Sequence, residues 1–160
     1  MKWLLASLLF IAPLAFAAEA PKSADKPSAA AEGDLWIHDY NEALKLAAKE
    51  KKPILMLFTG SDWCHYCKLL EKNVLSKQDF KDWAKKNVVL FIADFPEKKK
   101  LPAAEAEQNE KLSNEYKIQG YPTIVIADSK GKSQGEPDFD SSGTPAAFIQ
   151  VMEAMIKAKK

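Results

Sequence analysis

The residues in this sequence best suited to chemistry are two cysteines separated by two residues. Cys64 and Cys67 are the only cysteines among the 160 residues, and His65 and Tyr66 lie between them. Such a pair can close into a disulfide and reopen by thiol–disulfide exchange, or it can supply part of a zinc site. A disulfide across so short a spacing constrains the unfolded chain little. We therefore favour a redox centre over a structural cross-link.

A buried strand and an amphipathic helix are predicted to hold this pair. Residues 54–58 are continuously apolar, which is typical of a buried strand, and the apolar spacing after Cys67 predicts a helix over residues 63–75. Residues 59–62 supply the turn between them. The cysteines then lie in the first helical turn, where unpaired N–H groups and the helix dipole favour a thiolate. We predict that Cys64, nearer the helix end, is the exposed nucleophile and that Cys67 resolves the mixed disulfide.

The remaining patterns predict one α/β domain built on a central mixed sheet. Continuously apolar strands suit a sheet that helices cover on both faces, and the length fits a single domain. The predicted strands are 35–37, 54–58, 88–93 and 124–127, with a weak strand within 133–143. The predicted helices begin at Asp39, at the cysteines, at Ser76, at Ala103 and at Thr144, which gives the order β-α-β-α-α-β-α-β-β-α.

The first 33 residues carry features of export. Lys2 precedes an apolar run that ends in the A-x-A segment Ala15–Ala17, and we predict a signal peptide over residues 1–17. Residues 18–33 are rich in Ala, Lys, Ser and Pro and are predicted to form a flexible linker, followed by the folded domain at 34–160. We therefore expect a periplasmic or secreted protein.

The charge composition argues against nucleic-acid binding. All 23 basic residues are lysine, so the chain lacks the arginine that grips phosphate or guanine with two hydrogen bonds. The 22 acidic residues bring the formal net charge to +1, which offers no strong steering towards nucleic acids or membranes. We expect no nucleic-acid partner, and we interpret the run Lys98–Lys100 as a solvated face.

Two segments resemble the thioredoxin superfamily. Trp63–Lys68 has the sequence Trp-Cys-His-Tyr-Cys-Lys, and Gly120–Thr123 has the sequence Gly-Tyr-Pro-Thr. The resemblance covers residues 34–158 and implies a thioredoxin-like fold. Residues 62–72 are most similar to the C-terminal domain of the DsbD electron transporter and to small exported proteins of the DsbH type. Those relatives imply a disulfide reductase rather than an oxidase.

The same resemblance implies the parts of the reaction and its partners. Pro122 would be a cis-proline lying against the disulfide, with the backbone of Tyr121 exposed to pair with a substrate strand. The redox-active disulfide between Cys64 and Cys67 would need no other cofactor and no metal. Substrates would be disulfide-containing exported proteins, and a membrane electron donor of the DsbD type would restore the dithiol.

Two alternatives to a reductase stay open. A disulfide isomerase usually needs a dimerisation module, which residues 18–33 do not resemble, and we therefore expect a monomer. A metal- or thiol-binding module is the second alternative, and its ligands would have to come from Cys64, Cys67, His65 and His38. Adjacent Cys64 and His65 make a poor chelating pair, which disfavours this alternative.

The sequence departs from the thioredoxin pattern in two ways. Thioredoxins carry a buried acid on the strand beneath the second cysteine, whereas the matching residue here is Leu57 or Phe58. Glu71, on the same helix face as Cys67, is a candidate proton acceptor in its place, with a solvated surface residue as the alternative. Strong oxidants of the DsbA type have His before the second cysteine. This chain has Tyr66 there, as DsbC-type isomerases and glutaredoxins do.

The side chains around the cysteines each have a functional and a structural interpretation. His65 can stabilise the Cys64 thiolate as an imidazolium, or it can be an exposed spacer. Trp63 and the ring of Tyr121 can contact substrate, or they can pack against the domain. The Tyr66 phenol can hydrogen-bond the thiolate.

Overall fold

The sheet is mixed, as predicted, and its middle strand leads into the cysteines. The computed structural model describes residues 35–158, so the predicted signal peptide at 1–17 and linker at 18–33 lie outside the described residues. Within 35–158 the strands are β1 (Trp36–Ile37), β2 (Ile54–Thr59), β3 (Val89–Asp94), β4 (Thr123–Ala127) and β5 (Ser133–Gly135). Their order in the sheet is β1-β3-β2-β4-β5. β1 and β2 run parallel to β3, and β4 runs antiparallel to both β2 and β5.

Helices cover both faces of this sheet. In the described part of the chain they are α1 (Tyr40–Glu50), α2 (His65–Leu70), α3 (Gln78–Asn87), α4 (Ala103–Glu115) and α5 (Pro145–Lys157), and a π-helical turn at Glu71–Leu75 extends α2. The element order is the predicted one. Caps set two of the helix starts, because the side chains of Asp39 and Thr144 accept backbone N–H groups of the first turns of α1 and α5.

One predicted cap is wrong. Ser76 was expected to open α3, but α3 begins after Lys77 without a side-chain cap. The Ser76 hydroxyl instead donates to the carbonyl oxygen of Lys72, 3.3 Å away, in the π-helical turn. Ser76 therefore ends the preceding helical segment, because its backbone N–H is also bonded back to Glu71.

β2 separates two apolar clusters and is buried along its whole length. Leu55 and Leu57 face the cluster formed with α2, α3 and α5, whereas Ile54, Met56 and Phe58 face the cluster formed with α1 and α4. This two-sided burial explains the continuous apolar run in the sequence, because neither face of the strand meets water. Truncating a leucine in such a core costs about 2–5 kcal/mol. The turn that follows β2 is therefore attached to a strand that is fixed by packing on both of its faces.

The α-helices of the described residues are short, the longest being α4 and α5 with 13 residues each. Between residues 35 and 158, none is long and apolar enough to cross a membrane.

Candidate active site

Cys64 and Cys67 form a disulfide at the start of α2, with their Cα atoms 5.3 Å apart. The predicted helix over 63–75 begins at His65 rather than at residue 63, so that Cys64 is the N-cap residue. Its Sγ accepts the backbone N–H of Cys67 at 3.2 Å. An N–H group aimed at this sulfur stabilises negative charge on it, which is the property that a nucleophilic thiolate requires.

The predicted difference in exposure between the two cysteines is wrong for this disulfide-bonded state. Cys64 is 6% exposed and Cys67 is 5% exposed. The segment containing Tyr121 accounts for the burial of Cys64, because the carbonyl oxygen of Tyr121 lies 3.6 Å from its Sγ. Cys64 is therefore distinguished from Cys67 by the N–H that its Sγ accepts and by its contact with Tyr121 rather than by its accessible surface.

The segment beside the disulfide contains the cis-proline that the resemblance implied, because the Tyr121–Pro122 peptide bond is cis. The ring of Tyr121 stacks on Phe95 with centroids 5.1 Å apart and meets the Trp63 ring edge-on at 5.9 Å. Burial raises the pKa of the Tyr121 phenol, partly offset by its hydrogen bond with Ser113. The ring of Tyr121 therefore packs within the domain, whereas the backbone carbonyl oxygen of Tyr121 faces Cys64.

Exposed aromatic rings border the disulfide. Trp63 is 40% exposed and Tyr66 is 63% exposed. The indole N–H of Trp63 donates to the carbonyl oxygen of Phe95 at 2.8 Å, so this side chain is both anchored in the domain and open to a ligand. The exposed ring of His65 packs edge-on against that of Tyr66, with centroids 5.5 Å apart. The roles predicted for His65 and Tyr66 towards the thiolate stay predictions.

Glu71 lies at the surface rather than inside the domain. It opens the π-helical turn, its residue is exposed, and it lines a shallow pocket beside Trp36 and Phe80. This position favours the solvated-surface interpretation of Glu71 over that of an internal proton acceptor. Leu57 and Phe58, one of which was expected to match the buried acid of thioredoxins, are both buried.

Asp94 is a buried acid that the sequence analysis missed. It ends β3 and is 3% exposed. Its carboxylate accepts the N–H of Ser61 at 2.9 Å, the hydroxyl of Ser61 at 2.7 Å and the ammonium of Lys99 at 2.9 Å. The signal for it was an acidic residue at the end of an apolar strand that lies next to β2. Parallel β2 and β3 bring Asp94 to the turn before Cys64.

Asp62 fastens the loop after β3 to the same turn. Its carboxylate accepts the backbone N–H groups of Glu97, Lys98 and Lys99 at 3.0, 2.7 and 3.3 Å, and its carbonyl oxygen accepts the ammonium of Lys68 at 2.8 Å. The N–H of Glu97 contributes most to lowering the pKa of the Asp62 carboxyl below its ordinary value, and partial desolvation opposes the effect. Residues 95–100, hereafter the 95–100 loop, form one wall of the site.

The arrangement is that of a redox centre: a disulfide at a helix start, an N–H on one sulfur, and a cis-proline segment against it. A family model described as a thioredoxin-like domain matches residues 40–156. The chain belongs to the thioredoxin-like family. Its fold class, predicted from the sequence, is thereby confirmed. Within residues 35–158, no three His, Cys, Asp or Glu side chains are grouped to hold a metal ion.

The chain is similar to two named proteins of Chlamydia pneumoniae. The chain is 33% identical to the disulfide bond reductase DsbH of Chlamydia pneumoniae over 134 residues, which are 84% of this chain and 79% of DsbH. It is 27% identical to the thioredoxin-related protein DsbJ of the same organism over 92 residues, 58% of this chain. Those residues span 26% of DsbJ, so this second match covers about a quarter of that relative.

Solved structures of thioredoxin-like proteins share the fold of this chain. A DsbH oxidoreductase superposes with a TM-score of 0.72 at 31% identity, covering 88% of this chain and 96% of that one. The reduced DsbD C-terminal domain of Neisseria meningitidis gives a TM-score of 0.54 at 24% identity, covering 71% of this chain and 91% of that one, and supports the shared fold alone. Together with the Cys64–Cys67 pair, the DsbH matches make the chain a thiol–disulfide oxidoreductase.

Proposed function

We propose that this oxidoreductase is a reductase of disulfides in exported proteins. The observation that carries the direction of the reaction is the 33% identity to a disulfide bond reductase over most of both chains. The geometry is compatible with it, because the disulfide lies at the helix start beyond β2 and is bordered by the exposed rings of Trp63 and Tyr66, where another protein can approach. The chain itself supplies the two electrons, through Cys64 and Cys67.

The reaction has two exchanges. The Cys64 thiolate attacks one substrate sulfur, a Cys64–substrate disulfide forms, and the other substrate sulfur leaves as a thiolate that takes up a proton. Cys67 loses its proton and attacks Sγ of Cys64, and the second substrate sulfur leaves and is protonated. The substrate gains two electrons and two protons, and the chain is left with the disulfide seen in the structure.

The neighbouring residues are assigned roles in binding. The backbone of Tyr121, beside cis Pro122, pairs with the substrate strand, and the exposed rings of Trp63 and Tyr66 contact residues next to the substrate disulfide. Exposed His65 lies directly after the nucleophile, where an imidazolium would stabilise the thiolate.

Location and electron supply complete the proposal. Residues 1–17 act as a cleaved signal peptide and the domain works in the periplasm, because the sequence carries the marks of export. The protein acts as a monomer, because residues 18–33 do not resemble a dimerisation module. A membrane donor of the DsbD type returns two electrons to the Cys64–Cys67 disulfide. The similarity to DsbH supports this place in a disulfide relay.

Reduction of insulin with dithiothreitol as electron source tests the activity. We expect the wild-type protein to accelerate insulin precipitation and Cys64→Ser to abolish the acceleration. Cys67→Ser is the matched control: it also fails to turn over, but its Cys64 should accumulate a mixed disulfide with substrate. An undiminished rate in Cys64→Ser would overturn the assignment.

The direction of exchange follows from the reduction potential of the pair, measured against glutathione. A value near that of thioredoxin, about −270 mV, supports a reductase. A value near that of DsbA, about −120 mV, means that the protein oxidises its substrates instead.

A further inference from the structure

Four hydrogen bonds hold the 95–100 loop against the turn that precedes Cys64. Three backbone N–H groups of this loop bind the Asp62 carboxylate, and the indole of Trp63 binds the carbonyl oxygen of Phe95. The buried Asp94, directly before the loop, binds Ser61 through two hydrogen bonds. These contacts join the end of β3 and the loop to Ser61, Asp62 and Trp63, the three residues that immediately precede Cys64.

The anchored loop lies beside the segment along which a substrate strand would run. Phe95, its first residue, stacks on Tyr121, whose carbonyl oxygen is 3.6 Å from Sγ of Cys64. Trp63 contacts both residues of this pair, through its edge-on ring contact with Tyr121 and its hydrogen bond to the backbone carbonyl oxygen of Phe95. A polypeptide that reaches Cys64 along Tyr121 therefore passes the 95–100 loop.

The charge that this wall presents to solvent is positive. The loop contains three lysines and one glutamate, all exposed. Lys98 anchors the loop through its backbone N–H, which leaves its ammonium on the surface. Lys68 adds a cation from α2, because its ammonium binds the neutral carbonyl of Asp62. Of the nearby acids, Asp62 faces the loop backbone and Asp94 is buried. Glu97 is exposed within the loop and Glu110 acts on Tyr121 from α4, so the lysines of the loop and Lys68 outnumber the exposed acids rather than stand alone.

We propose that the 95–100 loop is a specificity element that selects disulfides flanked by acidic residues in the partner protein. This inference rests on the proposed reductase function. Lys98 and Lys100 are its recognising side chains, with Lys68 beside them, whereas Lys99 is engaged with Asp94. Surface ammonium–carboxylate pairs are individually weak and screened by salt, so the selectivity should be modest and dependent on ionic strength.

The test compares two disulfide-bonded peptides that differ only in their flanking residues, glutamates in one and lysines in the other. The chain is reduced, freed of reductant and mixed with each fluorogenic peptide in a stopped-flow instrument. We expect the wild type to reduce the acidic peptide about threefold to tenfold faster at low ionic strength. The preference should shrink towards unity at about 0.5 M salt, where screening is strong.

A matched pair of variants separates the loop from net charge. Lys98→Glu with Lys100→Glu should abolish or invert the preference. Lys85→Glu with Lys86→Glu makes the same change in total charge at the exposed end of α3, just before β3 starts, at the opposite end of that strand. This control should keep the wild-type preference. Equal rates with both peptides in the wild type, or an equal loss of preference in both variants, would overturn the proposal.

An uncharged small disulfide distinguishes this failure from failure of the reductase itself. Bis(2-hydroxyethyl) disulfide has no charge for the loop to recognise, so both double variants should reduce it at the wild-type rate. If the wild type reduces it but does not discriminate between the peptides, the specificity inference is wrong and the reductase stands. If the wild type reduces neither this compound nor the peptides, the proposed function is wrong and the inference falls with it.

Discussion

At the scale of single residues, the sulfur of Cys64 has two polar neighbours of opposite effect. The backbone N–H of Cys67, at 3.2 Å, stabilises a thiolate, whereas the carbonyl oxygen of Tyr121, at 3.6 Å, disfavours one. The N–H is nearer, and it belongs to the open end of a helix whose dipole acts in the same direction. The favourable interaction should therefore dominate once the disulfide is reduced.

This balance predicts which cysteine reacts. In the reduced protein, iodoacetamide at neutral pH should alkylate Cys64 at least about tenfold faster than Cys67, because reactivity follows the thiolate fraction and access. Mass spectrometry of the digested protein after short exposures measures both rates in one sample. Equal alkylation of the two residues, or faster alkylation of Cys67, would reverse the assigned roles.

The Asp62 carboxylate predicts a response to acid. Its pKa is lowered in the folded state, so its interaction with the loop is present above the ordinary value of 3.8 and is lost as the pH falls through the lower folded value. The amide proton shift of Lys98 should therefore titrate with a midpoint below 3.8. Asp62→Asn should remove this titration, and Asp82→Asn, the same change on exposed α3, should preserve it. A midpoint at or above 3.8 contradicts the contact.

At the scale of elements, the turn between β2 and α2 depends on a glycine that lies under a tryptophan. A Cβ atom at Gly60 would lie 2.5 Å from the indole of Trp63. Gly120, before the cis-proline, is the natural comparison, because a Cβ there would meet nothing within 4 Å. The two glycines precede the two halves of the site but differ in the space around them.

Alanine at these two glycines should therefore have opposite effects. Gly60→Ala should destabilise the protein by about 1–3 kcal/mol through overpacking, and it should shift the indole N–H resonance of Trp63. Gly120→Ala should be neutral or stabilising by up to about 1 kcal/mol, since it restricts the unfolded chain without a clash. Urea unfolding of both variants gives the free energies. Similar losses in the two would show that close packing under Trp63 is not the cause.

At the scale of the whole molecule, two tyrosines tie together elements that are distant in the sequence. The hydroxyls of Tyr40 in α1 and Tyr116 after α4 are 2.7 Å apart, and Tyr116 also donates to the carbonyl oxygen of Gly131 in the turn between β4 and β5. Burial, followed by the hydrogen bond with Tyr40, raises the pKa of the Tyr116 phenol well above the ordinary value of 10.0.

That shift predicts a loss of stability in alkali. Above pH 10.0 the unfolded chain releases the phenolic proton of Tyr116 while the folded chain retains it, so rising pH drives unfolding. Tyr116→Phe should lower the urea midpoint at about pH 8, because the Gly131 carbonyl loses its donor, but should flatten the further decline above pH 10.0. Tyr66→Phe, at an exposed ring, should follow the wild type. A decline as steep in Tyr116→Phe as in the wild type would contradict this account.

The part of the fold that depends on local periodicity was predictable from sequence. Apolar runs located β2 and β3, caps at Asp39 and Thr144 located two helices, and the spacing of the cysteines located the redox centre. Ser76 was misassigned because a hydroxyl near a helix end can bond forwards or backwards, and local sequence does not say which.

The contacts that complete the site were not predictable in this way. Asp62 and Asp94 bind groups 33–37 residues away in the sequence, mostly backbone N–H groups, which carry no side-chain signature. The burial of Cys64 likewise depends on Tyr121, 57 residues away. Such contacts follow from the register of β2 with β3 and with β4, which is a property of the assembled sheet.

The placement of the cysteines at the start of α2, just beyond the end of the central strand β2, has a consequence for repeated use. The 160 residues hold no third sulfhydryl with which either cysteine could mispair. The sheet beneath the disulfide is held by apolar packing on both faces and by backbone hydrogen bonds between its strands. We therefore expect the domain to stay folded through repeated cycles of reduction and oxidation of the Cys64–Cys67 pair.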